Sequence, residues 1–214
     1  MLIAVAASMI AAGRQPKIFN SVDTDAMNHW VDTTMARLTL DEKIAQLMVL
    51  HLAPSTQPGT LESARKMVEK YKIGGLLYSS GDILSQARIN NEAQALSEIP
   101  LLVTVDAEWG LSMRLKDAPK FPKNMILGAI DDDRLLYEYG REMARECRAI
   151  GVHVNFAPVL DVNDNPDNPA IGMRSFGENP DAVARHGIAF ARGLEDNGVL
   201  TVAKHFPGHG NPSS

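Results

Sequence analysis

Two strand-length runs, Leu101-Leu102-Val103-Thr104-Val105 and Val199-Leu200-Thr201-Val202-Ala203, are apolar almost without interruption. A strand with one face in water alternates apolar and polar side chains. A continuous run needs cover on both faces, which is the condition of a parallel strand inside an α/β fold. Around these runs the periodicity predicts helix 27–37, strand 48–52, helix 61–71, strand 73–78, helix 83–97, strand 101–106, helix 134–149, strand 152–159, helix 182–197 and strand 200–205. Strands alternating with helices predict parallel βα units. Thr39, with Glu42 three residues on, forms a capping box ahead of the apolar stretch 44–47.

Parallel βα units close into two architectures, a doubly wound open sheet or a (β/α)8 TIM-barrel-like domain. The dinucleotide fingerprint of the open sheet is missing: no G-x-G-x-x-G follows a strand, and Gly74-Gly75 lies inside a strand pattern. A barrel builds its active site from the loops after its strands, and polar residues gather there three times: Asp106-Ala107-Glu108-Trp109-Gly110, the stretch 155–164, and Lys204-His205. The α/β barrel is therefore the expected fold. About five βα strands are legible against the eight of a complete barrel, so the expectation is a truncated barrel. Its open edge near 200–205 would associate with another copy.

The chain divides into residues 1–13, a signal-peptide-like segment, 14–26, a linker, and 27–214, the incomplete barrel. The apolar run 2–12 is too short to span a bilayer as a helix. Small residues follow at Ala11, Ala12 and Gly13, although the basic residues usual before such a run are missing. A periplasmic or secreted protein is expected, the alternative being a cytoplasmic one with an apolar N-terminal helix. The 21 Lys and Arg are scattered among 26 Asp and Glu, which removes the basic footprint a nucleic-acid partner needs. The single cysteine, Cys147, excludes a disulfide framework and reads as a buried thiol. Met27, Met35 and Met143 fall on apolar helical faces and read as core.

Chemistry concentrates in Lys204-His205-Phe206-Pro207-Gly208-His209-Gly210. Pro207 and Gly208 forbid the helix on which His205 and His209 would face one ion, so no metal is expected and the segment should turn. His205 then sits at a strand mouth and His209 on the loop above it. Lys204 and His205 there offer hydrogen-bond donors to a polar ligand such as a sugar. Taken singly, the residues read more plainly: Asp106 as a helix N-cap, Arg174 as a solvated loop charge, and Asp161 with Asn163 as a turn rather than a calcium loop. Glu108 and Trp109 would shape the pocket wall, Trp109 by stacking on a sugar or by packing under the loop.

The 204–210 segment, at the end of an apolar strand, resembles the signature of glycoside hydrolase family 3 in its β-N-acetylglucosaminidase branch. Ile99-Pro100-Leu101-Leu102-Val103-Thr104-Val105-Asp106-Ala107-Glu108-Trp109-Gly110 with Arg114, then Asn155-Phe156-Ala157-Pro158-Val159-Leu160-Asp161-Val162, then Gly172-Met173-Arg174-Ser175-Phe176-Gly177 resemble successive segments of that family. Residues 30–50 resemble its opening helix. The resemblance implies a carbohydrate ligand, an N-acetylglucosamine-containing glycan, and no cofactor. It implies that Asp106 accepts hydrogen bonds from two sugar hydroxyls while Arg114, Arg174, Lys204 and His205 donate around the same ring, with His209 and Trp109 as loop contributors. It also implies a retaining mechanism through a covalent glycosyl-enzyme, whose aspartate nucleophile and Asp/His acid/base pair are expected beyond Ser214. Residues 1–214 alone would therefore be inactive. β-Glucosidase activity in the same family and a non-catalytic sugar-binding fragment remain the alternatives.

Overall fold

In the computed structural model the described residues are 22–53 and 59–211. The expected leader 1–13 and most of the expected linker lie outside them. The first helix among the described residues, here α1 (Thr24–Arg37), begins inside that expected linker. The Asp23 carboxylate accepts from the backbone N–H groups of Asp25 and Ala26 and fixes the start three residues before Met27. The capping box forms as the residue types require: Thr39 and Glu42 exchange side-chain and backbone bonds at the head of α2 (Leu40–Ala45).

Five strands follow with their helices: β1 (Val49–Leu52), α3 (Thr60–Tyr71), β2 (Gly75–Tyr78), α4 (Ile83–Leu96), β3 (Leu102–Val105), α5 (Asn124–Leu127), α6 (Asp133–Ala149), β4 (Val154–Asn155), α7 (Pro180–Glu195) and β5 (Leu200–Thr201). All neighbouring strands are parallel and lie in chain order, β1-β2-β3-β4-β5. A doubly wound sheet reverses its strand order at a switch point; this sheet steps in one direction, as the wall of a barrel does.

Parity along the strands divides the sheet into two faces. Leu50, Leu76 and Val103 share one register row, and Leu52, Tyr78 and Val105 another. This face packs on the helices, in a core with Leu136, Met143, Cys147, Phe190 and Leu194. Asn90 ties the layers together, accepting from the Tyr78 hydroxyl at 2.8 Å and donating to the Ile150 carbonyl at 2.8 Å. α6 and α7 pack close because Gly140 and Gly193 meet: a Cβ on Gly193 would lie 2.2 Å from the Tyr137 carbonyl oxygen. The opposite face carries Val49, His51 and Leu102, which are exposed, and Thr104 and Val154, which are buried.

Three expectations are corrected. The strands foreseen over 152–159 and 200–205 shrink to two residues each, and Pro158 has no N–H to give the ladder beyond them. Pairing resumes beyond the break at Val159 and Lys204, where the Leu160 N–H donates to the Lys204 carbonyl at 2.6 Å. Met27 and Met35 are exposed rather than core, since nothing among the described residues covers that stripe of α1, whereas Met143 is fully buried. Cover on both faces, inferred from the apolar runs, holds only in part: the helix-side Val103 and Val105 and the opposite-side Thr104 are buried, whereas Leu102 and Val202 are exposed. Cys147 is a buried free thiol, its pKa pushed up to about 12 by burial.

Candidate active site at the strand ends

The chain after β3 and the chain after β5 converge at the C-terminal end of the sheet. Asn155, buried at the end of β4, sets the first of them. Its amide donates to the Ala107 carbonyl and accepts from the Ala107 N–H, both at 3.0 Å. That two-way clamp fixes the peptide between Asp106 and Glu108, which, two residues apart, project to the same side.

Both oxygens of Asp106 are engaged. Lys204 Nζ donates to Oδ1 at 2.5 Å and the Arg114 guanidinium to Oδ2 at 2.5 Å, while Arg114 Nε also holds the Asp106 carbonyl at 2.7 Å. Glu108 is wholly buried. Arg174 grips it in a fork, with Nε and Nη2 at 2.9 and 2.7 Å, and Lys204 Nζ lies 2.8 Å from Oε1. Burial raises the cost of charge on Glu108, yet the hydrogen bonds from Arg174 and Lys204 outweigh it and hold the carboxyl below its ordinary pKa. The same pairing raises the pKa of Arg174. Arg174 is placed by its own loop, since Nη1 donates to the Ala170 carbonyl at 2.8 Å.

The third carboxylate, Asp161, follows the Val159 bridge and is buried. It accepts from the His205 ring Nδ1 at 2.6 Å, the His205 backbone N–H at 3.2 Å and the backbone N–H of His209. His205 Nε2 faces Arg174 Nη2 at 3.4 Å. The five sequence-expected ligands, Asp106, Arg114, Arg174, Lys204 and His205, thus form one connected network.

The two loop candidates stand at its margin. His209 is exposed, its ring edge-on to that of His205 with centroids 5.3 Å apart, and it reaches Asp161 through its backbone. Trp109 is half-buried beneath the Lys123 ammonium, 5.2 Å from its ring centre.

Three residues central to the geometry were not anticipated as such. Glu108, expected as pocket wall, anchors two cations. Asp161, expected as a turn residue, holds His205. Asn155 carried no assigned role. The i, i+2 spacing of Asp106 and Glu108 at a strand end was a usable signal for the first. The other two depend on contacts across 44 and 48 residues of chain, which no local pattern displays. Among the described residues no group of three or more His, Cys, Asp or Glu side chains is placed to hold a metal ion.

An open, polar cluster of paired acids and cations at the carboxyl ends of parallel strands suits a polyhydroxylated, uncharged ligand. The family model for the glycosyl hydrolase family 3 N terminal domain matches residues 39–214. The chain belongs to glycosyl hydrolase family 3. Beta-hexosaminidase LpqI of Mycobacterium tuberculosis (strain ATCC 25618 / H37Rv) is 35% identical over 182 residues, covering 83% of this chain and 45% of LpqI. A solved family 3 β-N-acetylglucosaminidase from Paenibacillus sp. str. FPU-7 is 37% identical with a TM-score of 0.72, covering 81% of this chain and 34% of that one. The β-glucoside phosphorylase BglX, solved with 2FGlc bound, is 28% identical with a TM-score of 0.78, covering 88% and 34%. The chain therefore spans less than half the length of these relatives. The family 3 match takes in the whole network from Asp106 to His205, and the parallel sheet is the consecutive wall of the family's TIM-barrel-like N-terminal domain. Among the described residues no helix is long and apolar enough to cross a membrane.

Proposed function

We propose that this chain supplies the sugar-holding part of a retaining β-N-acetylhexosaminidase that removes terminal N-acetylglucosamine from glycans or peptidoglycan fragments. The observation that carries the reading is the Asp106 carboxylate, both of whose oxygens are held by cations at the strand mouth, 2.5 Å from Lys204 and from Arg114. A carboxylate so held accepts paired hydroxyls, and the two cations beside it donate charge-assisted bonds to the ring they flank. Arg174 is kept aligned by Glu108, ready to reach the same ring.

Double displacement also needs a carboxylate nucleophile and a proton-transferring pair. In this reading both lie outside residues 1–214, so the 214-residue chain binds the sugar and does not turn it over. Export to the periplasm or the cell exterior belongs to the same proposal, supported by the apolar run 2–12. So does self-association along the β5 edge, supported by the exposed Val202 beside it.

Calorimetric titration with N-acetylglucosamine and with glucose tests the reading. Heat from N-acetylglucosamine at millimolar concentration, well above that from glucose, is expected. Tighter glucose binding would favour the β-glucoside alternative, for which BglX is the supporting neighbour. Turnover of an aryl N-acetyl-β-glucosaminide by homogeneous chain well above buffer would refute the division of labour.

A further inference from the structure

We infer that Asp161 is a positioning residue that holds His205 as its Nδ1–H tautomer, so that His205 presents a lone pair, and not a proton, to the bound sugar. Two independent contacts fix that choice. The side chain of Asp161 is fully buried, and its oxygens already accept the backbone N–H groups of His205 and His209. A carboxylate used as an acceptor by backbone donors needs a donor at Nδ1, which lies 2.6 Å from Oδ2. On the other side of the ring, Nε2 lies 3.4 Å from Arg174 Nη2. A guanidinium has only donors, so Nε2 must be the acceptor. A proton on Nε2 would aim an N–H at a cation.

The neighbours keep Asp161 where it is. Its carbonyl accepts the Ser175 hydroxyl at 2.6 Å, one residue from Arg174. The Asn163 N–H donates to the Gly177 carbonyl at 2.9 Å, and the Asn168 amide donates to the His209 carbonyl. One loop, 160–177, therefore carries Arg174 and also buckles the 204–210 segment, coupling the two sides of the imidazole. The consequence for recognition rests on the proposed sugar-binding role: among Arg114, Arg174, Lys204 and His205, three only donate, and a sugar hydroxyl that displaces the long 3.4 Å Arg174 contact finds the one acceptor at His205 Nε2. This revises the expectation that all four donate.

Long-range proton–nitrogen NMR of the 214-residue chain reads the tautomer directly, without sugar and before any variant is made. A pyrrole-type Nδ1 and pyridine-type Nε2 for His205 are expected; an Nε2–H ring would overturn the inference. Asp161→Asn should move His205 toward the Nε2–H tautomer and weaken N-acetylglucosamine about tenfold, the scale of one lost charge-assisted bond. His209→Ala, which keeps the backbone N–H to Asp161, should leave the tautomer unchanged. An unaltered tautomer in a folded Asp161→Asn chain would also overturn the inference. Absence of sugar binding alongside the Nδ1–H tautomer would defeat the functional reading and leave this one standing.

Discussion

The two faces of the sheet share the same five strands and are covered unequally. On the helix side Leu76, Tyr78, Val103 and Val105 are fully buried; on the other, Val49 and Leu102 keep 46% and 45% of their surface in water, while Thr104 and Val154 are buried. The first face has its counter-layer in the described residues, from α3 to α7. The second is the face a closed barrel would fill with its own strands' side chains. Packing stability therefore resides mainly on the helix side. The Asp106–Lys204 cluster continues the other, one row past the strand ends, where side chains are held by hydrogen bonds and charge instead of packing.

The sharpest way to break this contrast is to remove a large side chain from the helix side. Phe190, fully buried and stacked 5.2 Å from Tyr139, should cost about 3–5 kcal/mol on Phe190→Ala, measured by denaturant unfolding. Glu108→Gln should act on the other side. It leaves one acceptor where Arg174 and Lys204 now share a charge, and should weaken N-acetylglucosamine by about ten- to a hundredfold, or about 1.4–2.7 kcal/mol. Calorimetry on the two proteins gives the ratio.

Acid should expose the same carboxyl through stability. The folded-state pKa of Glu108 is depressed, so its contribution is present above the unfolded value of about 4.3 and is lost as pH falls through the folded value. Between about pH 5 and pH 3 the native chain should lose more stability than Glu108→Gln does, in parallel melts. The smallest effect is expected on the open face: Leu102→Ala should stay within about 0.5 kcal/mol, as surface substitutions do. A cost near that of Phe190→Ala would mean that something covers this face in solution.

Much of the architecture was legible because βα alternation is a local, repeating signal and several helices bring their own caps, as Asp82, Asp132 and Asn179 do. The lengths of β4 and β5 were not, since the apolar pattern runs on through Pro158 while the regular ladder ends at Asn155 and Thr201. The exposed stripe of α1 was equally opaque: Met27 and Met35 have the spacing of a core face, but periodicity does not say whether a partner is present. At the site, motif order identified which residues gather. Who holds whom was hidden, because the Arg174–Glu108 fork and the Asp161–His205 contact join segments 66 and 44 residues apart. Those pairings determine which groups donate and which accept.

The central claim is that the mouth cluster is a sugar subsite organised around Asp106. A crystal structure of the chain with N-acetylglucosamine tests it most directly. The account predicts a ring seated at the carboxyl ends of the strands, with two hydroxyls within hydrogen-bond distance of the Asp106 carboxylate and Lys204 and Arg114 beside it. A sugar bound elsewhere on the chain, with Asp106, Lys204 and Arg114 making only the contacts they make without it, would contradict the account.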